Sequence, residues 1–418
     1  MKLKSLELYD WKQFGNIEIN FHPNLTILTG ANGSGKTTIL NLLAQHFNWS
    51  FQELATPAKY DKSNSFRYFT RFFKKPIRQG DLNIGKLEYN NNAVATLSVP
   101  DLNNVKLAID PNQPQYLINI YDIQSLPGFN VPSHRPESNY CRLPNLPTGK
   151  RNKREAFDLV SNSTKHQVLG SGGNQSSYYI KETLLKWAVY GYGNKAIEAD
   201  PEQVGYYEGF QDILRKILPR SLVFREFSIR NEEIVLITDS GDFMLEAVSG
   251  GINALINLAW QIYMFSKEET DEFTVLIDEV ENHLHATMQR AILPDLLKAF
   301  PGIQFIVSTH NPLIVGSVRD SNVYVLKYND ERKVDSMLLD LVNKAKTATE
   351  ILREVLGVPF TMPIWVEDEL RKITDKYSGL EINEENLREM RKELSQIGLE
   401  NLVPQAISEV ITKRDDPN

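Results

Sequence analysis

The chain has 418 residues, of which 41% are hydrophobic and 24% are charged, proportions that are typical of a soluble globular protein with two or three structural units. A net charge of −7 excludes a surface that is basic throughout, but it leaves room for local basic patches. The single cysteine excludes an internal disulfide and fits a reducing compartment. With no apolar run of about 18 residues and no apolar leader, we expect a cytoplasmic protein without a membrane partner.

The first part of the chain is predicted to contain strands, a glycine loop and one helix. Residues 2–21 alternate apolar and polar side chains like two short strands joined near Gly15. A buried strand, "NLTILTG", leads into the loop and helix of "ANGSGKTTILNLLAQHF". The segment 55–78 is polar, aromatic and basic, and "GKLEYNNNAVATLSV" predicts a hairpin with its turn at 90–92.

The middle of the chain is predicted to be irregular, and the C-terminal part regular. Residues 127–177 are rich in Pro, Ser, Asn and Gly and indicate long loops around a short helix. Two helices follow, then a strand, turn and strand within 222–248 and a helix over 252–265. The strand "FTVLIDE", a helix over about 286–300 and the strands "IQFIVSTH" and "NVYVLKY" come next. The last 80 or so residues are mostly helical and charged.

The sequence from Gly30 to Thr37 matches the phosphate-loop pattern G-x-x-x-x-G-K-[ST]. In that pattern backbone N–H groups cradle phosphate oxygens, and the N-terminus of the following helix faces the same anion. We assign Lys36 to the β- and γ-phosphates and the Thr37 hydroxyl to Mg²⁺, so that ATP and Mg²⁺ are the predicted ligands. The predicted ATP-binding residues are Gly30, Asn32, Gly33, Ser34, Gly35, Lys36, Thr37 and Thr38.

Two carboxylates, Asp278 and Glu279, end the apolar strand "FTVLIDE". A metal–nucleotide site needs one carboxylate for Mg²⁺ and a second to orient or deprotonate the attacking water. We assign Asp278 to the metal, together with Thr37, and Glu279 to the water. An acidic strand end that caps the next helix is the structural alternative, which the phosphate loop makes the weaker interpretation.

Histidines occur after two of the predicted strands, "FTVLIDE" and "IQFIVST". His310 follows "IQFIVST" and is a candidate to donate a hydrogen bond to the γ-phosphate or the water. Taken alone, the motif favours a turn histidine beside Pro312. His283 and His285 lie two residues apart, and residues at that spacing on a helix do not face each other. We therefore expect a turn in "ENHLH" rather than a metal site.

These motifs together resemble the ABC-type ATPases of the SMC, RecF and OLD group. The resemblance covers residues 1–50 and about 220–330: "LTILTGANGSGKTTIL" is similar to the Walker A segment, "VLIDEVENHLH" to the Walker B segment and D-loop, and "STHNP" to the H-loop. The resemblance implies an ABC ATPase head, which is a mixed-sheet α/β P-loop fold. It also implies a signature Ser-Gly-Gly that binds the ATP of a second subunit, so that ATP joins two heads into a dimer.

Two stretches contain Ser-Gly-Gly, at 171–173 and at 249–251. In the family the signature opens a helix that leads directly to the Walker B strand. Ser249 precedes Asp278 by 29 residues, enough for one helix, whereas Ser171 precedes it by 107. The resemblance therefore assigns the signature, acting in trans, to Ser249, Gly250 and Gly251, although Val248 and Ile252 replace the family's usual Leu and Gln or Glu. A plain helix N-cap by Ser249 is compatible with that role.

The family's glutamine-bearing loop has no clear counterpart. Gln124 and the cluster "PSHRP", with His134 and Arg135, are weak candidates, and ordinary loop residues are an equally good interpretation.

The predicted organisation has four parts. Residues 1–130 form an ATPase lobe with Walker A, and 131–220 form an inserted loop and helical region. Residues 221–335 form the lobe with the signature, Walker B, D-loop and H-loop. Residues 336–418 form a helical region for partner or subunit contacts.

The resemblance favours a stand-alone ATPase. The proline-rich middle of the chain has no coiled-coil arm, and fewer than 50 residues follow "PIWVEDELRK", too few for the nuclease domain of OLD proteins. Stand-alone ATPases of this kind resemble the ATPase subunits of prokaryotic anti-phage systems, such as Septu and PARIS, which are paired with a separate nuclease. An ATP-dependent homodimer or higher oligomer that regulates a nuclease is the implied function. A RecF-like repair or loading ATPase and a transporter nucleotide-binding subunit are the alternatives.

A basic and aromatic segment is the candidate for contact with DNA or RNA. It contains Arg67, Arg71, Lys74, Lys75 and Arg78. A solvated surface with buried aromatic side chains is an equally good interpretation.

Overall fold

The computed structural model of the chain forms two compact units, Met1–Ile351 and Leu352–Asn418. It describes residues 1–59, 66–69, 82–99, 115–135, 139–146, 148–168, 174–267, 271–357, 363–381 and 383–415. Arg71, Lys74, Lys75 and Arg78 of the basic segment lie outside the described residues, as does the first Ser-Gly-Gly at 171–173, and of Arg67 only the backbone is described.

The first unit contains runs of strands and runs of helices. Its strands are β1 (Leu3–Tyr9), β2 (Asn16–Asn20), β3 (Leu25–Gly30), β4 (Glu53–Leu54), β5 (Thr56–Lys59), β6 (Phe66–Phe69), β7 (Leu82–Tyr89), β8 (Val94–Val99), β9 (Gln115–Tyr116), β10 (Asn119–Tyr121), β11 (Gly128–Val131), β12 (Phe224–Arg230), β13 (Glu233–Thr238), β14 (Gly241–Met244), β15 (Thr274–Ile277), β16 (Gln304–Ser308), β17 (Asn322–Tyr328) and β18 (Val334–Leu338). Its α-helices are α1 (Lys36–Leu43), α2 (Lys153–Val168), α3 (Ser176–Tyr192), α4 (Pro201–Ile217), α5 (Gly250–Phe265), α6 (Ala286–Ala299), α7 (Pro312–Val315), α8 (Leu341–Lys344) and α9 (Ala348–Glu350), with 3₁₀ turns at Ala44–Phe47 and Leu245–Ala247.

A six-stranded sheet, in the order β11-β15-β16-β3-β17-β18, positions the site. Its first five strands are parallel and β18 is antiparallel. Every residue of β3, β15 and β16 is buried, as expected for parallel strands covered on both faces. Ile277 pairs with both Val131 and Val307, so the carboxyl ends of three neighbouring strands reach the same edge. Ligands of open α/β sheets bind at that edge.

An antiparallel sheet, in the order β10-β8-β7-β1-β2, lies over the same core. Side chains of β1, β2, β7 and β8 pack with those of α1, β3 and β17 in one hydrophobic cluster that includes Trp11, Phe14 and Leu326. A three-stranded sheet, β12-β13-β14, precedes α5, the helix that begins at the predicted signature. The mixed α/β fold predicted from the sequence, with its phosphate loop between a buried strand and a helix, is confirmed.

The predicted elements are wrong in two regions. The region 127–177, predicted to be loops around a short helix, contains the strand β11 and the 16-residue helix α2. The region 222–248 holds three strands and not two. β11 is only four residues long, and its stability comes from parallel pairing with β15, which is about 146 residues away in the chain. A local pattern cannot show such a pairing, because it depends on a distant segment.

An aromatic cluster anchors the signature helix α5. Trp260 is fully buried, stacks on Trp187 of α3 with ring centroids 5.8 Å apart, and meets the edge of Phe210 of α4 at 4.9 Å. We expect Trp260→Ala to lower the free energy of unfolding by about 3–5 kcal/mol, because it removes a large side chain from a close-packed site. Urea unfolding followed by circular dichroism measures this.

The matched control is Trp365→Ala. Trp365 is 59% exposed, so its loss should shift the unfolding curve by no more than about 0.5 kcal/mol. An equal loss of stability in the two variants would contradict the anchoring role of Trp260.

The second unit is helical. α10 (Ile364–Ser378), α11 (Glu384–Gln396) and α12 (Val403–Asp415) pack around their own apolar core, which includes Leu370, Met390 and Leu394. A π-helical turn (Ile351–Val355) precedes them. Across the described part of the chain, no helix is both long enough and apolar enough to cross a membrane.

Candidate nucleotide-binding site

The phosphate loop connects β3 to α1 at the ligand-binding edge of the central sheet. Gly33 and Gly35 have φ angles of 81° and 97°, which glycine adopts without the steric strain that a side chain causes. A Cβ atom at Gly35 would also lie 2.4 Å from the Phe14 ring. The loop therefore needs glycine at residue 35 for its backbone conformation and for the packing beneath it.

The loop has the polar groups that phosphate binding requires. The Ser34 hydroxyl is buried and has no hydrogen-bond partner among the described residues. Lys36 Nζ donates to the carbonyl oxygens of Gly30 and Ala31 at 2.8 and 3.1 Å. Burial lowers the pKa of Lys36, and the nearby carboxylates of Asp278 and Glu279 oppose that shift. A buried ammonium group, an unpaired hydroxyl and the N-terminus of α1 together fit a bound phosphate chain.

Thr37 and Asp278, the predicted metal residues, are in direct contact. Thr37 Oγ1 donates to the Asp278 carboxylate at 3.0 and 3.1 Å, although the two residues are 241 positions apart. Ser308, at the end of β16, donates to Asp278 Oδ1 at 2.5 Å. This cluster of a carboxylate and hydroxyls offers the hard oxygen ligands that Mg²⁺ prefers. Sequence reasoning missed Ser308, because only the pairing of β15 with β16 places it beside Asp278.

Glu279 is held in a left-handed turn directly after β15. Its φ is 46°, a conformation that costs a residue with a side chain about 1–3 kcal/mol and is concentrated at functional sites. Its N–H donates to Ser308 Oγ at 2.8 Å, and its Oε2 accepts from Asn282 Nδ2 at 2.8 Å. The backbone therefore leaves the extended conformation at Glu279, directly after the strand.

Arg135 reaches the same turn from the end of β11. Its guanidinium donates to the carbonyl oxygens of Asp278 at 3.4 Å and Glu279 at 3.2 Å, and burial lowers its pKa to about 10. His134 is exposed, and Gln124 donates to the Asp122 carbonyl. Of the weak candidates for the glutamine-bearing loop, Arg135 is the residue that the structure brings to the carboxylates.

His310 lies beside a buried glutamate of the D-loop segment. Its N–H donates to Glu281 Oε1 at 2.9 Å, and its Nδ1 is 3.2 Å from the same oxygen. Glu281 is 4% exposed whereas the His310 side chain is 51% exposed. Of the other two histidines, His283 has a φ of 67° and His285 caps α6.

The predicted signature residues lie at the N-terminus of α5. Ser249 is the N-cap residue, but its exposed hydroxyl makes no capping hydrogen bond. Gly250 is open to space, and a Cβ at Gly251 would lie 2.9 Å from the His283 carbonyl oxygen. The hydroxyl and the first glycine are thus accessible, while Gly251 packs against the D-loop segment.

Two family models match the parts of the chain that contain these residues. The family described as "AAA domain, putative AbiEii toxin, Type IV TA system" matches residues 145–316, and a second AAA domain family matches residues 5–101. Together they cover the phosphate loop, the signature, the two carboxylates and His310. The chain is similar to ATPases of this class, and its motifs resemble those of the SMC and RecF group.

Relatives of this ATPase have informative names. It is 27% identical to the Septu protein PtuA of Bacillus mycoides (strain KBAB4), over 79% of this chain and 41% of that protein. It is 32% identical to the "Retron Ec83 probable ATPase" of Escherichia coli, over 29% of this chain and 22% of that protein. The chain thus spans less than half the length of these two relatives. A Septu protein PtuA of Bacillus thuringiensis is 23% identical over 93% of this chain and 91% of its own length.

Solved structures of SMC heads are also similar to this chain. A crystal structure of an SMC head bound to the C-terminal winged-helix domain of ScpA is 16% identical, with a TM-score of 0.44, and covers 82% of this chain and 98% of that one.

Proposed function

We propose that this chain binds Mg²⁺ and ATP at the phosphate loop and hydrolyses the ATP. The contact of Thr37 and Ser308 with Asp278, next to the left-handed turn at Glu279, carries the proposal. Purified protein should release phosphate from ATP only when Mg²⁺ is present. A preparation that binds no ATP would overturn the proposal.

The phosphate chain is held by backbone and side-chain donors. The N–H groups of Gly33 and Gly35 and the N-terminus of α1 face the phosphates, and Lys36 exchanges its contacts with loop carbonyls for the β- and γ-phosphates. Thr37 and Asp278 would hold Mg²⁺, which when bound would neutralise charge on the phosphates. The hydrogen bond from Ser308 orients the Asp278 carboxylate.

ATP hydrolysis needs a general base for the attacking water and a hydrogen-bond donor near the γ-phosphate. Glu279 orients the attacking water and accepts its proton, and Asn282 holds the carboxylate in place through Oε2. His310 donates a hydrogen bond to the γ-phosphate or to the water. Because Nδ1 of His310 faces Glu281 at 3.2 Å, Nε2 is the ring nitrogen that would face the γ-phosphate.

Asp278→Asn tests the metal role. The amide keeps the shape of the side chain but loses the charge, so we expect the Mg²⁺ concentration for half-maximal ATP hydrolysis to rise about 10–100-fold. Mg²⁺ titration of phosphate release measures this. Asp330→Asn, at an exposed position outside the site, is the control and should leave the titration unchanged. The same Mg²⁺ requirement in both variants would contradict the assignment.

Two copies of the chain associate around ATP. The exposed Ser249 hydroxyl, which makes no capping bond, and the open N-terminus of α5 are free to bind the γ-phosphate held by a second subunit. Hydrolysis removes that phosphate and releases the subunits. ATP therefore controls the oligomeric state, as a dimer or a higher assembly of dimers.

The cellular role that fits best is the regulation of a separate nuclease in anti-phage defence. Support comes from the Septu and retron names of the relatives. The same role is assigned to this chain by analogy with these relatives. Expressing the chain with its neighbouring genes and challenging the cells with phage tests it. Protection that requires both a neighbouring nuclease gene and Lys36 supports the role, and protection that is unchanged by Lys36→Ala overturns it.

A further inference from the structure

A buried lysine outside the nucleotide site has an unusual set of partners. Lys181 lies on α3, and its side chain is 1% exposed. Fully buried lysines are rare unless they are paired, because removing an ammonium group from water is costly. Nothing in the proposed hydrolysis uses Lys181, so its burial needs another explanation.

Lys181 forms an ion cluster with two glutamates. Its Nζ pairs with Glu233, at the start of β13, and with Glu246 at 2.8 Å. It also donates to the Cys141 carbonyl at 3.0 Å and lies 5.1 Å from the centre of the Tyr140 ring. The Tyr140 hydroxyl donates to Glu233 at 3.1 Å. Four segments of the chain therefore meet at one ammonium group.

The charge of Lys181 persists in this environment. Burial opposes it, but the contacts with Glu233 and Glu246 outweigh burial and raise the pKa of Lys181 above its usual value. Glu246 is itself buried, with a side chain that is 2% exposed, and Lys181 is the one cation in ion-pair contact with it in the described part of the chain. Loss of the lysine would leave a buried carboxylate uncompensated, which favours movement of its segment toward water.

The position of Glu246 connects this cluster to the signature. Glu246 lies in the 3₁₀ turn Leu245–Ala247, and Ser249 follows three residues later. The side chain of Ser249 makes no capping bond that would fix the start of α5. The anchors of this loop are therefore the apolar Leu245, which is 4% exposed, and the charged Glu246.

We propose that Lys181 is a positioning residue for the signature loop, which acts through Glu246 on the placement of Ser249 and Gly250. The inference rests on the proposed ATP-dependent association of two subunits. It also makes the inserted region, of which α3 is part, a support for the signature: movement of α3 changes how well a second subunit binds ATP. Lys181 touches neither ATP nor metal, so its effect is on association and not on the binding of ATP by the phosphate loop.

The experiment uses the full chain with Glu279→Gln as the parent, because this change allows ATP-bound dimers to accumulate. Lys181→Met is added, and sedimentation at increasing protein concentration measures the dimer dissociation constant with ATP and Mg²⁺. We expect it to rise at least 10-fold. The affinity for a fluorescent ATP analogue, measured at a protein concentration too low for dimers, should change less than 2-fold. Lys181→Arg keeps the charge and should restore most of the association.

Lys186→Met is the matched control on the same helix. Lys186 is also buried, and none of its electrostatic interactions involves Glu233 or Glu246, so dimerisation should be unchanged. If Lys181→Met does not fold, Glu246→Gln decides, because it keeps the shape of the side chain and removes the charge. We expect at least a 3-fold rise in the dimer dissociation constant for this variant.

The outcomes separate this inference from the function on which it rests. A parent that stays monomeric with ATP overturns the proposed association and the positioning role together. A parent that dimerises, with folded variants that dimerise equally well, overturns the positioning role alone. Weaker association that Lys181→Arg does not improve also contradicts it, because the role requires a positive charge at residue 181.

Discussion

Glu279→Gln should lower the rate of ATP hydrolysis at least about 100-fold, the range that general bases contribute. The amide cannot accept a proton, yet it keeps the shape and the hydrogen bond from Asn282 Nδ2 to the side-chain oxygen. The phosphate loop and the Thr37–Asp278 contact are untouched, so ATP affinity should change little. Phosphate release under multiple turnover and equilibrium ATP binding are the two measurements.

A second consequence follows for the oligomeric state. If ATP holds two subunits together and hydrolysis separates them, the slow variant should accumulate as an ATP-bound dimer, visible by sedimentation or size exclusion. Glu331→Gln, at an exposed position, is the control and should hydrolyse ATP like the wild type. Unchanged turnover in Glu279→Gln would remove Glu279 from the role of base and leave His310 as the next residue to test.

Ser249→Arg should prevent ATP-dependent association and weaken the dimer at least about 100-fold. The change places a long side chain at an exposed position at the N-terminus of α5, where the proposed second subunit brings its γ-phosphate. Gly250 has open space around it, so the arginine fits the isolated subunit without a clash. The folded state should therefore be preserved, and melting temperature checks this.

Ser171→Arg, in the other Ser-Gly-Gly, is the discriminating control. It lies outside the described residues and far from Walker B in the sequence, and it should leave dimerisation intact. The reverse pattern, with loss of dimers in Ser171→Arg and none in Ser249→Arg, would move the signature to the first stretch. Sedimentation of both variants with ATP and Mg²⁺, in the Glu279→Gln background, gives the answer.

The Ser-Gly-Gly stretch at 249–251 differs from the family's usual signature sequence in the residue that follows it. Ile252, where the family has Gln or Glu, is in the first turn of α5. Gly251 is packed against the D-loop segment, because a Cβ atom at this residue would lie 2.9 Å from the His283 carbonyl oxygen. Glycine at 251 thus serves packing within the subunit, while Ser249 and Gly250 remain accessible.

The sequence by itself determined those features of the protein that depend only on residues close together in the chain. The glycine loop from Gly30 to Thr37, the apolar strand that ends at Asp278 and the period of the helices are local patterns, and they led to the confirmed α/β ATPase fold. They succeed because a phosphate loop and a buried strand impose their requirements on neighbouring residues.

Only the tertiary structure decided which distant side chains meet. Ser308 donates to Asp278 because β16 pairs with β15, and Arg135 reaches the carbonyl of Glu279 because a four-residue strand, β11, joins the edge of the same sheet. Lys181 meets Glu246 across 65 residues. No local pattern marks these residues, since a hydrogen bond or ion pair between distant segments depends on the register and packing of both, and these are set by the whole core.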